Sequence, residues 1–96
     1  MSKPQPLGLV LSKILKTSGM DKGIKQRQAI LIWDKVVGQK MASQSKAIKV
    51  EDSKIFVKVK NPVWRSEILL MKSQIAEALN KNLGQRVIKD VIVLGD

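Results

Sequence analysis

The apolar positions change rhythm along the chain. Leu7, Val10, Leu11, Ile14 and Leu15 recur at i, i+3, i+4, i+7 and i+8, which predicts a helix over 7–18 with one apolar face. Lys13 and Lys16 fall on its other face, and Gly19 is a natural stop. A second helix is predicted over 22–37 with Asp21 as its N-cap. Its seam is Ala29, Ile32, Trp33, Val36 and Val37. Ile30 and Leu31 lie outside that seam, which predicts burial on two sides. Gly38 ends or bends the helix, and Gln39 to Ser45 can add one irregular turn.

The period then falls from 3.6 to 2. Ile48 and Val50 alternate with Lys49, and Ile55, Val57 and Val59 alternate with Phe56, Lys58 and Lys60. Two such runs around Glu51-Asp52-Ser53 predict a β-hairpin with one aliphatic face. The turn lacks the Gly that the tightest hairpins prefer, so its type stays open. Asn61-Pro62 reads as cap and first helical residue. The helix it starts is predicted over 62–83, with Trp64, Ile68, Met71, Ile75 and Leu79 as its seam and Gly84 as its stop. The β-branched run Val87 to Leu94 predicts a third strand.

The order α-α-β-β-α-β makes a two-layer α+β domain, with a three-stranded mixed sheet packed on helices. The helix between the last two strands allows them to lie parallel. Residues 1–6, with two prolines, read as a flexible polar arm, and 7–96 as a single domain. Leu, Ile, Val and Phe supply 31 of the 96 residues, enough for a packed core. No run approaches the ~18 apolar residues of a membrane span, and Leu7–Leu11 is too short for a secretory h-region.

Three absences narrow the chemistry. Without Cys there is no disulfide or thiolate metal site, which fits a cytoplasmic location. Without His the commonest general base and zinc ligand are missing, and Tyr is absent too. The chain is expected to be no enzyme, with no metal, cofactor or small-molecule substrate. No phosphate-binding Gly-rich loop or dinucleotide fingerprint occurs.

Charge is the strongest positive signal. The net charge is +10, and residues 1–60 hold thirteen basic and four acidic side chains, against five and four in 61–96. A lopsided basic field attracts polyanions. Lys49, Lys58 and Lys60 alternate on paired strands and so project the same way, with Phe56 among them. Lys46 and Lys54 lie at the hairpin ends, and Arg65 starts the next helix nearby. These seven residues are the candidate nucleic-acid face. Its strands hold no Asn, Gln or Arg suited to base edges, so salt-sensitive binding to DNA with little sequence specificity is expected. An adaptor whose basic face docks an acidic protein is the alternative. Trp33 and Trp64 read as packing residues, Gly38 and Gly84 as helix terminators, and Asn80 as a helix C-terminal hydrogen-bonding residue.

The ordered motifs resemble a family. Trp33-Asp34-Lys35-Val36-Val37-Gly38 followed by Met41–Ser45, then Val63-Trp64-Arg65-Ser66-Glu67-Ile68, then Leu79-Asn80 to Gly84 ahead of Val87–Leu94, look like the segments of DciA-like proteins. The resemblance spans about residues 8–94. It implies a K-homology (KH-like) fold, DNA binding, and association with the bacterial replicative DNA helicase and its loading, without enzymatic activity. An RNA-binding KH-like module is a further reading, although no Gly-x-x-Gly clamp spacing occurs among the six glycines.

Overall fold

The structure, a computed structural model, describes residues 20–95; the polar arm and the helix expected over 7–18 lie outside the described residues. Helix α1 runs Met20–Val37. It takes in Asp21, which therefore sits inside the helix and not at its cap. Gly38 follows at φ 92°, a backbone region open in practice only to glycine, and its carbonyl accepts from Ala42 to start the short helix α2, Gln39–Ser43. The irregular turn expected after Gly38 is this helix.

Strands β1 (Lys46–Glu51) and β2 (Lys54–Lys58) pair antiparallel, and β3 (Asp90–Leu94) joins β2 in parallel, giving the sheet order β1-β2-β3. The two-layer α+β class and the mixed three-stranded sheet are those expected from the pattern. Ile55 and Val57 on the central strand are fully buried, as are Trp33 and Ala29 of α1, which lies against β1. The hairpin is the tightest kind after all. Glu51 pairs with Lys54, and Asp52 and Ser53 between them both take positive φ, 53° and 62°, the signature of a type I′ turn without glycine.

Three expectations are corrected. The helix predicted over 62–83 is two helices, α3 (Pro62–Leu70) and α4 (Lys72–Leu83), broken at Met71. The Met71 N–H reaches the carbonyls of both Glu67 and Ile68, a tightening of the last turn of α3. Ile68, Ile75 and Leu79 of the predicted seam are buried, and Trp64 packs half-buried against the core, but Met71 is exposed. Leu31 is 80% exposed, because among the described residues only one side of α1 packs against the sheet and α4. The third strand starts at Asp90, not Val87. Val87 and Ile88 are buried, yet their backbone groups bond to the Asn80 side chain, and the Val87 amide also to the Gln85 carbonyl, not to a strand.

The termini of the later helices follow local chemistry. Asn61 accepts from Val63 and Trp64 with Pro62 at the first helical position. Gly84, at φ 72°, closes α4 while Gly84 and Gln85 donate to Lys81 and Asn80, a Schellman pair. The Lys25 ammonium of α1 donates to the Leu83 carbonyl at 2.8 Å, placing a cation at the C-terminal end of α4.

Candidate nucleic-acid interface

The helices occupy one face of the sheet; of the predicted basic residues the other face carries Lys46, Lys49, Lys54 and Lys58, while Lys60 follows the end of β2 and Arg65 lies on α3. Alternation on β2 and β3 sends Ile55, Val57 and Val91 into the core. Lys54, Phe56 and Lys58, with their partners Asp90, Ile92 and Leu94, are thereby left on the outer face.

On β1 the alternation is interrupted. Ala47 pairs with Val57 and Lys49 with Phe56, so Ile48 is an extra residue, a β-bulge. Ala47 and Val50, three positions apart, both pack on the core. Ile48 and Lys49 therefore share the outer side, and Ile48 is 42% exposed instead of joining the aliphatic face as expected. The same bulge puts Lys46 on the outer face, directly opposite Lys58.

The predicted residues divide into groups. Lys46, Lys58 and Lys60, all exposed, meet around a shallow hollow of about 250 Å³ where α2 runs into β1. Ser43, Gln44 and Ser45 complete its lining, and among the described residues no acidic one takes part. Nearer the turn, Lys49 is engaged locally: its ammonium lies 3.2 Å from Glu51 and 4.9 Å from the centroid of the half-buried Phe56 ring. Lys54, exposed, starts β2 between Glu51 and Asp90 in register. Arg65 stands apart. Its guanidinium donates from one nitrogen to the carbonyls of Val59 at 2.9 Å and Lys60 at 2.8 Å, fastening the strand exit to α3.

Ionic pairing separates Lys49 from the other lysines of the face. Among the described residues the salt bridges are Lys49–Glu51 and Lys72–Asp90, so Lys46, Lys54, Lys58 and Lys60 have no carboxylate partner there. Like charges directly opposite across two strands repel, and Lys46 and Lys58 are so placed. Among the described residues the arrangement is a cationic corner without carboxylate partners beside a partly apolar stretch in which Lys49 is paired and Lys54 is not.

Sequence reasoning did not find Ser43 and Gln44, which line the hollow only because α2 abuts the strand end, nor the outer positions of Ile48, Ile92 and Leu94. The β3 pair follows period-2 alternation once the parallel register is known, whereas nothing in Ala47-Ile48-Lys49 signals the bulge.

Comparison with known proteins gives one consistent result. The family model described as "Dna[CI] antecedent, DciA" matches residues 6–93. The chain is 25% identical over 91 residues to a UPF0232 protein of Corynebacterium glutamicum, covering 95% of this chain and 51% of that one. It is 25% identical over 92 residues to a UPF0232 protein of Rhodococcus jostii (96% and 49% covered). To one of Bifidobacterium longum it is 27% identical over 92 residues (96% and 59%). The chain spans about half the length of the curated relatives it matches.

Proposed function

The chain belongs to the DciA family, and from that premise we propose that it is a non-enzymatic DNA-binding protein that associates with the replicative DNA helicase and takes part in its loading. The observation that carries the DNA-binding half is the collection of Lys46, Lys58 and Lys60 at one corner of an exposed sheet face, with no acidic neighbour in the hollow among the described residues. Exposed ammonium groups of this kind neutralise phosphates and release counterions. Lys49, Lys54 and Phe56 extend the surface toward the turn, and Arg65 holds the segment that carries Lys60. The strands offer no bidentate side chain for base edges, which supports binding without sequence preference. The helicase association rests on family membership.

Titration of labelled single- and double-stranded DNA at low salt tests the first half. Saturable binding that weakens steeply with salt is expected, and absence of affinity for either form would sink it. Changing Lys58 and Lys60 together to Ala is expected to weaken binding and to flatten its log–log salt slope by about 0.7–0.9 per lysine. Recovery of the host's replicative helicase by the tagged chain from nuclease-treated lysate, followed by a loading assay on single-stranded DNA, tests the second half.

A protein-docking reading is favoured by a different observation. Ile48 is exposed, and Ile92 and Leu94 are half-buried beside Phe56, so the outer face mixes apolar and basic groups. An acidic partner with apolar anchors would fit it, and its retention after nuclease, with no DNA affinity in the titration, would replace the DNA reading.

A further inference from the structure

The hollow at the α2–β1 junction has the composition of a site for a single phosphate group. Three lysine side chains line it from three backbone positions: Lys46 on β1, Lys58 opposite it on β2, and Lys60 two residues further along. Its hydroxyls are already committed, since Ser43 donates to the Lys40 carbonyl and Ser45 to that of Met41. The Gln44 carboxamide has no hydrogen-bond partner among the described residues, and it supplies two neutral donors beside the lysines. Among the described residues no carboxylate lines the hollow, whereas the lysine nearer the turn, Lys49, has its own in Glu51.

Electrostatics favours an occupant. Lys46 and Lys58 are cross-strand neighbours of like charge, a placement that costs stability when no counter-charge lies between them. An anion seated against both converts that repulsion into two charge-assisted contacts. The volume of about 250 Å³ leaves room for a phosphate group with part of its attached sugar. The geometry points to a phosphate-anchoring pocket formed by Lys46, Lys58, Lys60 and Gln44, in which one phosphate of a nucleic-acid strand is held while the rest of the face makes looser contacts. The assignment of the phosphate to nucleic acid rests on the proposed function; the anion chemistry of the pocket does not.

The test starts with inorganic phosphate, added to the full isotope-labelled chain at constant ionic strength and followed by amide chemical shifts. Saturable shifts confined to residues 43–46 and 58–60 are expected. Gln44→Glu, which places a carboxylate in the pocket at an exposed position, should weaken phosphate binding about tenfold or more. Lys58→Gln should weaken it about threefold or more, and Lys81→Gln, in the last turn of α4 and outside the hollow, should leave it unchanged. Linear shifts that never saturate, or equal shifts along the Lys49–Lys54 half, overturn the pocket, and so does a Gln44→Glu chain that binds phosphate as well as the parent.

A second arm compares an oligonucleotide bearing a 5′-phosphate with the same strand ending in a hydroxyl. Tighter binding of the phosphorylated strand assigns the pocket to a chain-end phosphate, and equal binding that Gln44→Glu still weakens assigns it to an internal one; either supports the site. The two proposals fail separately. DNA binding insensitive to Gln44→Glu and without a saturable phosphate site overturns the pocket and leaves the basic face standing. A saturable phosphate site in a chain without DNA affinity upholds the pocket and removes its nucleic-acid source.

Discussion

The indole N–H of Trp33 donates to the hydroxyl of Ser45 at 2.9 Å, and that hydroxyl donates in turn to the carbonyl of Met41 at 2.7 Å. The relay ties the middle of α1 to the end of α2 one residue before Lys46. Trp33 is fully buried and Ser45 nearly so, so the bonds form away from water. The relay thus fixes the backbone on which the cationic corner stands.

Ser45→Ala leaves the buried indole N–H without an acceptor, while the Met41 carbonyl keeps its bond from the Gln44 amide. The expected loss is about 1–3 kcal/mol, a large share of the roughly 5–14 kcal/mol that a chain of this size possesses. Urea unfolding followed by circular dichroism measures it. A loss below about 0.5 kcal/mol would show that the relay contributes little. The double variant with Trp33→Phe should cost less than the sum of the two single changes.

Ser53 takes φ 62° in the hairpin turn while its carbonyl accepts from Lys89 at 2.7 Å. The turn conformation is strained for any residue with a Cβ. Ser53→Gly removes the strain, keeps the backbone bond and should stabilise the chain by about 0.5–1 kcal/mol despite the looser unfolded state. Ser53→Val should destabilise it by more than that. Thermal melts of the two variants should therefore move in opposite directions, and a Gly variant that melts lower than the parent would contradict the turn assignment.

Asn80 clamps the connection between α4 and β3. Its carbonyl oxygen accepts from the amides of Val87 and Ile88 at 2.9 and 2.8 Å, and its amide donates to the Ile88 carbonyl at 2.7 Å. Asn80→Ala releases all three at a buried stretch and should cost about 2–4 kcal/mol. Native-state hydrogen exchange should show the Val87 and Ile88 amides losing protection first, since local opening there no longer breaks a side-chain bond. Unchanged exchange at both amides would refute the clamp.

Arg65 belongs to the support of the face. Its contacts to the Val59 and Lys60 carbonyls are charge-assisted, and Arg65→Ala should cost about 1.5–3 kcal/mol of stability. DNA affinity should fall modestly through misplacement of Lys60, with the salt slope changing less than it does for Lys58→Ala. A full loss of about 0.7–0.9 in slope would mean that Arg65 touches phosphate itself.

Much was legible because it depends on near neighbours in the chain. The period-2 run through Ile55, Val57 and Val59 identifies a strand with one face in the core, because successive side chains must alternate. Asn61-Pro62 and Gly84 mark helix ends for reasons confined to a few residues: a side-chain acceptor, a ready-set φ and a missing Cβ. The predominance of lysine on the outward positions of β2 is a property of the sequence alone.

Tertiary structure decided the rest. The bulge at Ile48 arises from pairing against Val57 and Phe56, and it is what turns Lys46 to face Lys58. The break at Met71 occurs without Gly or Pro, where α3 packs on β3 and α4 on both β3 and α1. Val87 and Ile88 have strand-like side chains, but their amides bond to the side chain of Asn80, seven and eight residues earlier in the chain, and that of Val87 also to the Gln85 carbonyl. Whether a lysine is neutralised or left open also lies beyond local pattern, since Lys49 meets Glu51 on its own strand while Lys46, Lys58 and Lys60 are gathered by pairing and by the abutting helix. Local chemistry specifies what each segment prefers to be; only the packing of segments against one another sets which groups meet, because those distances depend on the whole folded chain.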